Sequence, residues 1–130
     1  MKFVIEGEPL AQQRARTAKN VFYDPQFQAK QNFAWLVKSQ MQEKKITKIA
    51  TPIILKAEFN MTIPKSLSNK KRLSLIDQPH TKKKDVDNLC KFLMDSLNNI
   101  LWEDDSLIWN LQAKKIYSTT PATIFDIEYV

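Results

Sequence analysis

Apolar residues recur along this chain with two different periods. Four segments alternate between apolar and polar positions, which is typical of strands because neighbouring side chains point to opposite faces. These predicted strands cover residues 2–6, 52–63, 107–117 and 122–130. Two further segments carry apolar residues three and four positions apart, which predicts helices from about 25 to 45 and from 88 to 101. The pattern favours one α+β (mixed α/β) domain over residues 1–130, with helices packed on a small mixed sheet.

The same patterns predict which residues form the core. In the second strand, Leu55, Ala57, Phe59 and Met61 share one face and are expected to point inward. Each helix has one apolar stripe. The stripes comprise Phe33, Leu36, Val37, Gln40 and Met41 in the first helix and Leu89, Leu93, Leu97, Ile100 and Leu101 in the second. Trp35 and Trp109 fall within these patterns, and we expect them in the core or at an interface.

Residues 65–84, here called the basic loop, separate the second strand from the second helix and show no periodic apolar pattern. The expected order is therefore β-α-β-basic loop-α-β-β. The loop holds seven of the lysines and arginines against Asp77 alone, whereas residues 85–130 hold eight acidic residues against three lysines. The whole chain has a net charge of +6. Such a basic stretch suits a phosphate backbone, although a solvated lysine-rich loop is the plainer interpretation.

Composition excludes several classes of protein. A single cysteine rules out an intrachain disulfide, and one cysteine with one histidine rules out a structural zinc site. A single glycine rules out a phosphate-cradling glycine loop, so no nucleotide cofactor is expected. No run is long enough for a membrane span, and the start of the chain has too short an apolar run for a signal peptide. We therefore expect a cytoplasmic protein without membrane contact.

Carboxylates supply the candidate chemistry. Asp85 and Asp87 follow the basic loop directly, and in extended backbone they would share a face. Two carboxylates that close repel each other unless a cation lies between them, and Mg²⁺ prefers oxygen ligands. Asp104 and Asp105 form a second acidic pair. The plainer interpretations are a helix cap for Asp87 and a solvated turn for the second pair.

Three nearby residues allow two interpretations each. Lys91 lies one helical turn after Asp87, where it could hold a phosphate oxygen or form a surface ion pair with Asp87 or Asp95. Cys90 is more often a small buried apolar residue than a nucleophile. His80 could bind phosphate or act as an acid.

At this point the chain resembles the RusA family of Holliday-junction resolvases. The segment TKKKDVDNLCKFLMDSLNNILWEDDS, residues 81–106, follows the family's pattern of a basic run, D-x-D-N-L, a lysine on the next turn, D-x-L, an aromatic residue and a DD pair. The opening GEPLAQQRAR and VFYDP is similar as well. Many members have a proline where Lys84 stands here, and others have a basic residue.

The resemblance implies a homodimeric endonuclease that uses Mg²⁺, with Mn²⁺ as a substitute, on branched DNA such as a four-way junction. By position, Asp85, Asp87 and Asp105 would be catalytic metal ligands, Asp104 an auxiliary acid and Lys91 the catalytic lysine. Members often come from bacteria, phages or prophages. The candidate DNA contacts are Arg14, Arg16, Lys70, Lys71, Arg72, His80, Lys82, Lys83, Lys84 and Lys115.

Length sets a constraint on this site. A helix over 88–99 is about 18 Å long, so Asp105 starts far from Asp87. Residues 100–105 either run back along the helix, or Asp105 enters the site of the other subunit. Two rival functions remain at this point: a non-catalytic nucleic-acid binder, and an interaction protein whose basic loop contacts an acidic partner.

Overall fold

A computed structural model describes residues 1–18 and 21–130, the side chain of Arg16 excepted. Four strands form a mixed sheet, namely β1 (Lys2–Glu6), β4 (Ile53–Thr62), β5 (Ile108–Ser118) and β6 (Ala122–Tyr129). Their order across the sheet is β1-β6-β4-β5. β4 pairs in parallel with β5 and antiparallel with β6, which in turn pairs antiparallel with β1. The predicted α+β class and mixed sheet are confirmed.

Two long helices cover one face of this sheet. They are α1 (Phe27–Lys44) and α3 (Val86–Leu97). Alternation along β4 places Leu55, Ala57, Phe59 and Met61 in the core, as predicted. The helices add their own stripes, among which Val37 and Leu93 are fully buried. Because β4 and β5 are parallel, the chain between them must cross over the sheet, and α3 makes that crossing.

The three tryptophans differ in how far they are buried, and two of them lie outside the core. Trp102 is fully buried at the end of α3, whereas Trp35 is 69% exposed and Trp109 is 68% exposed. For these two residues the core alternative was therefore wrong, and the interface alternative stays a prediction. Trp35 lies on the solvent side of α1, and Trp109 lies on β5, whose second edge is largely unpaired because β5 ends the sheet. A position within a periodic pattern does not bury a residue at the border of the core.

Three elements were missed. The basic loop contains the helix α2 (Asn69–Leu75), which has no buried residue and hence no apolar stripe. Its start carried a usable signal, because Ser68 caps the helix by accepting a hydrogen bond from the Lys71 N–H. The strands β2 (Arg16–Ala18) and β3 (Val21–Tyr23) form a small antiparallel pair. Three residues per strand are too few to show a period.

Helix α3 also begins earlier than predicted, at Val86 rather than Asn88, and ends at Leu97. Asp85 occupies the capping position in extended backbone, where an acidic residue is favoured by the exposed N–H groups of the first turn. Among the described residues, no helix combines the length and the apolar character that crossing a membrane requires.

Candidate active site

The first acidic pair lies at the start of α3. Asp85 precedes the helix and makes no side-chain capping bond, and Asp87 lies in the first helical turn. Both are exposed. The expectation that both residues would lie in extended backbone and share a face was therefore wrong for Asp87, because the helix starts between them. Their carboxylates still project from the same helix end into solvent, where neither is committed to a cap.

A polar stripe continues along α3 from this end. Asp87, Lys91 and Asp95 follow one another at intervals of four and therefore lie on one exposed face, here called the α3 face. Lys91 Nζ lies 3.9 Å from a carboxylate oxygen of Asp87, and both side chains are about two-thirds exposed. An ion pair this exposed contributes little to stability, so Lys91 remains available to other anions.

Asp105 is held at the far end of this face. It opens a short 3₁₀-helix (Asp105–Leu107) that leads into β5. The indole N–H of the buried Trp102 donates to its carboxylate at 2.7 Å, and its own backbone N–H donates to Asn98 Oδ1 at 2.9 Å. Burial raises the pKa of the Asp105 carboxyl above its usual value, and the charges of Asp104 and Asp95 act in the same direction. A neighbouring cation would therefore be favoured.

A surface pocket of about 250 Å³ lies along the half of the α3 face that is farther from the first acidic pair. It is lined by Gln12, Lys91, Met94, Asp95 and Asp105. Asp85 and Asp87 are not part of this lining. Within residues 1–18 and 21–130, no three acidic, histidine or cysteine side chains come close enough to hold a metal ion together. One chain thus places Asp105 beside Lys91 but leaves it apart from the first acidic pair.

Asp104 has a local structural role. Its exposed carboxylate accepts a hydrogen bond from the Ser106 N–H at 2.9 Å and so caps the 3₁₀-helix. Hydrogen bonding by the Ser106 side chain, and next by the Ser106 N–H, lowers the pKa of Asp104 below its usual value. The plainer interpretation of the pair, a turn, thus describes Asp104, whereas Asp105 is partly buried and faces the pocket.

The basic residues form two groups that differ in what their charges contact. Lys84 donates to the Pro9 carbonyl at 2.7 Å, and Lys115 donates to the carbonyls of Lys82 and Lys84. These two ammonium groups tie the end of the basic loop to the opening of the chain and to β5. In the other group the side chains are exposed, apart from the half-buried Arg72. This group comprises Arg14, Lys70, Lys71, Arg72, Lys82 and Lys83. The side chain of Arg16 lies outside the described residues.

His80 is buried rather than presented to solvent. Its ring lies 4.7 Å from that of Tyr117, and its Nδ1 has no hydrogen-bond partner among the described residues. Burial, and then the charge of Lys115, lowers the pKa of His80 below its usual value. Cys90 is likewise buried, and burial raises the pKa of its thiol, which fits a small core residue and not a nucleophile.

Comparison with known proteins shows the family of this chain. The family model described as "Endodeoxyribonuclease RusA" matches residues 6–128, nearly the whole chain. The chain belongs to the RusA endodeoxyribonuclease family. It is also similar to the uncharacterized protein YqaN of Bacillus subtilis (strain 168), with 33% identity over an alignment that covers 93% of this chain and 90% of YqaN. Membership in the RusA family confirms the prediction that the protein is an endonuclease.

Within this RusA-family chain, sequence reasoning missed an ion cluster behind the α3 face whose central lysine is buried. Lys30 of α1 is only 7% exposed, and its ammonium contacts Asp24 and Asp95. The sequence gives no sign that Lys30 is buried, because lysines on helices are usually exposed. Asp95 was considered only as a partner for Lys91. The available signal was weak: an acidic residue one turn after Lys91 on the same face.

Proposed function

We propose that this protein is a metal-dependent, structure-selective endodeoxyribonuclease that resolves Holliday junctions by paired, symmetric phosphodiester cleavage in DNA recombination and repair. The observation that carries the proposal is the RusA-family match over residues 6–128, which spans the α3 face and the basic loop. In support, exposed acidic residues and exposed lysines meet at the start of α3. A nuclease needs carboxylates for the metal next to cations for the DNA backbone.

The donor set fits a hard divalent cation. Asp85 and Asp87 offer exposed carboxylates that no capping bond or buried ion pair occupies. Asp105 offers a carboxylate whose pKa is raised by burial, so a neighbouring cation would stabilise its ionised form. These three residues, with Asp104 as an auxiliary acid, would hold Mg²⁺, or Mn²⁺ in its place. When bound, the ion would activate a water molecule and stabilise the leaving 3′ oxygen.

The protein's own residues orient the scissile phosphate. Lys91 projects from the α3 face between the first acidic pair and Asp105, where its ammonium can move from Asp87 to a phosphate oxygen and offset the charge that develops there. The exposed lysines Lys82 and Lys83 lie just before Asp85 and can neutralise flanking phosphates. The exposed cations of α2 extend this surface along the DNA.

We further propose a homodimer with shared sites. Asp87 and Asn98 are separated by about 16 Å along the axis of α3. Asp105 is hydrogen-bonded to Asn98 and is therefore far from Asp87 of its own chain. A second subunit related by a two-fold axis can bring its Asp105 to the Asp85 and Asp87 of the first. Two such composite sites would match the near two-fold symmetry of a four-way junction. Paired incision would then follow from the dimer itself.

The deciding experiment uses a labelled synthetic four-way junction and a linear duplex of the same sequence. Each is incubated with the purified protein in Mg²⁺ or in EDTA. The proposal expects symmetric paired nicks on the junction in Mg²⁺ only. Tight junction binding without cleavage in either Mg²⁺ or Mn²⁺ would refute it and would favour a non-catalytic DNA binder.

A further inference from the structure

A buried positive charge lies directly behind the candidate active site. The side chain of Lys30, a residue of α1, is nine-tenths buried, yet it carries an ammonium group. That group lies 2.6 Å from a carboxylate oxygen of Asp95 on the α3 face and is also bonded to Asp24, which precedes α1. One cation therefore connects three separate segments of the chain. Nothing in the proposed chemistry uses Lys30 itself.

Fold stability alone is a poor account of this cluster. Removing the Lys30 ammonium from water is costly, and its ion pairs return little stability because the side chains of Asp24 and Asp95 are 31% and 55% exposed. Burial lowers the pKa of Lys30, but its hydrogen bonds to Asp24 and Asp95 outweigh burial, so the net shift is upward and Lys30 stays charged. The hydrogen bond from Lys30 also lowers the pKa of Asp24. The cluster is a persistent, directional link between segments.

On one side, the link reaches the opening of the chain. The carboxylate of Asp24 accepts a hydrogen bond from the Gln26 N–H at 2.8 Å. The Gln26 side chain then holds residues 11–13 from two directions. Its Oε1 accepts from the Gln13 N–H, and its Nε2 donates to the Ala11 carbonyl, both at 2.8 Å. The residue that follows this segment is Arg14, an exposed candidate DNA contact.

The same segment is bonded to α3. The Gln12 N–H donates to the Asn88 carbonyl at 2.9 Å, one residue after Asp87. Gln12 also lines the pocket that contains Lys91 and Asp105. On its other side, Lys30 holds Asp95, which lines the same pocket. Gln12 and Asp95, which both line the pocket, are thus connected through one ammonium group.

We propose that Lys30 is a positioning residue that fixes residues 11–14 and Asp95 on opposite sides of the pocket, so that Arg14 and the α3 face meet one DNA backbone in a set geometry. This inference rests on the proposed nuclease function for its consequence. Its geometric part does not depend on DNA, because hydrogen exchange reports directly whether residues 11–13 stay in place.

The test compares Lys30→Met with Lys38→Met. Methionine fills a similar volume without charge, and Lys38 is an exposed lysine on the same helix. Amide exchange is measured at Gln12 and Gln13 in the DNA-free protein. Lys30→Met should reduce protection of these two amides by at least about tenfold relative to amides of β4, whereas Lys38→Met leaves them unchanged.

A second readout is cleavage of junctions at saturating protein, where binding no longer limits the rate. Lys30→Met should lower this rate by about tenfold or more, because the pocket walls lose their fixed spacing. Asp95→Asn, which breaks the link on the α3 side only, should lower the rate as well. This milder variant decides the matter should Lys30→Met fail to fold.

The outcomes separate the two proposals. Unchanged exchange in Lys30→Met overturns the inference and leaves the nuclease function standing. Reduced protection with an unchanged saturated rate also overturns it, since Lys30 then supports only the fold. Absence of cleavage by the wild type refutes the proposed function, and exchange alone then decides whether Lys30 positions residues 11–13.

Discussion

The contact between Trp102 and Asp105 joins the hydrophobic core to the candidate site, and its strength can be worked out. The indole is fully buried and donates to the carboxylate at 2.7 Å. A hydrogen bond to a charged group contributes about 1.5–3 kcal/mol, and a buried donor left without a partner costs about 1–3 kcal/mol. Trp102→Phe removes this bond and also leaves a void, so the single variant should be destabilised by about 2–4 kcal/mol.

A double-mutant cycle with Asp105→Ala isolates the hydrogen bond from the void. The lost ring volume affects both backgrounds and cancels, so the coupling free energy should be about 1.5–3 kcal/mol. Denaturant unfolding at pH 7, followed by circular dichroism, measures it. Asp104→Ala provides the control, because that carboxylate bonds Ser106 and not Trp102. A Trp102–Asp105 coupling no larger than the control value would refute this account of the site.

Three further predictions concern chemistry, assembly and pH. Asp87→Asn should reduce junction cleavage by at least about two orders of magnitude while junction binding persists, as filter binding beside a cleavage assay shows; wild-type cleavage would contradict the metal assignment. Mixing Asp87→Asn with Asp105→Asn subunits should restore first-strand nicking to about a quarter of the wild-type rate, because half of the dimers are mixed and each of these keeps one of its two shared sites intact. No recovery of nicking would place each site within one chain. Burial lowers the pKa of His80, the charges of Lys115 and Lys82 lower it further, and the charge of Glu8 opposes them. The fold therefore keeps its full stability above about pH 6.5, where His80 is neutral in both states, and loses stability as the pH falls below that value. His80→Gln should flatten the fall in Tm between pH 7.5 and 5.5, and an unchanged slope would contradict it.

Periodicity predicted those parts of the fold that bury a continuous face. β4 alternates over most of its length and lies in the interior of the sheet, so its inward residues were identified correctly. α3 was likewise found from Leu89, Leu93 and Leu97. An element without buried residues has no periodic apolar pattern in the sequence, and for this reason α2 was missed. Trp109 shows the converse: its place in a strand was clear, but its exposure depends on β5 being an edge, which only the sheet order determines.

The site was predictable as far as its local sequence extends. Lys91 lies one helical turn after Asp87 of the D-x-D-N segment, so the proximity of these two residues follows from their spacing. Asp105 depends on how the chain returns after α3, and the bonds from Trp102 and Asn98 that fix it were not visible in the sequence. Lys30 was harder still, because burial of a lysine is decided by the packing of α1 against α3.

The contacts of each charge therefore matter more than its position in the sequence. Lys84 and Lys115 are both candidate DNA contacts by sequence, but their ammonium groups are bonded to backbone carbonyls and hold the end of the basic loop in place. Lys82 and Lys83 are exposed and have no such bonds among the described side chains. Replacing Lys115 would move the loop as well as remove a charge, so a loss of DNA affinity there cannot be counted as one phosphate contact. Replacing Lys82 removes charge alone, and its effect should appear as a smaller dependence of binding on salt.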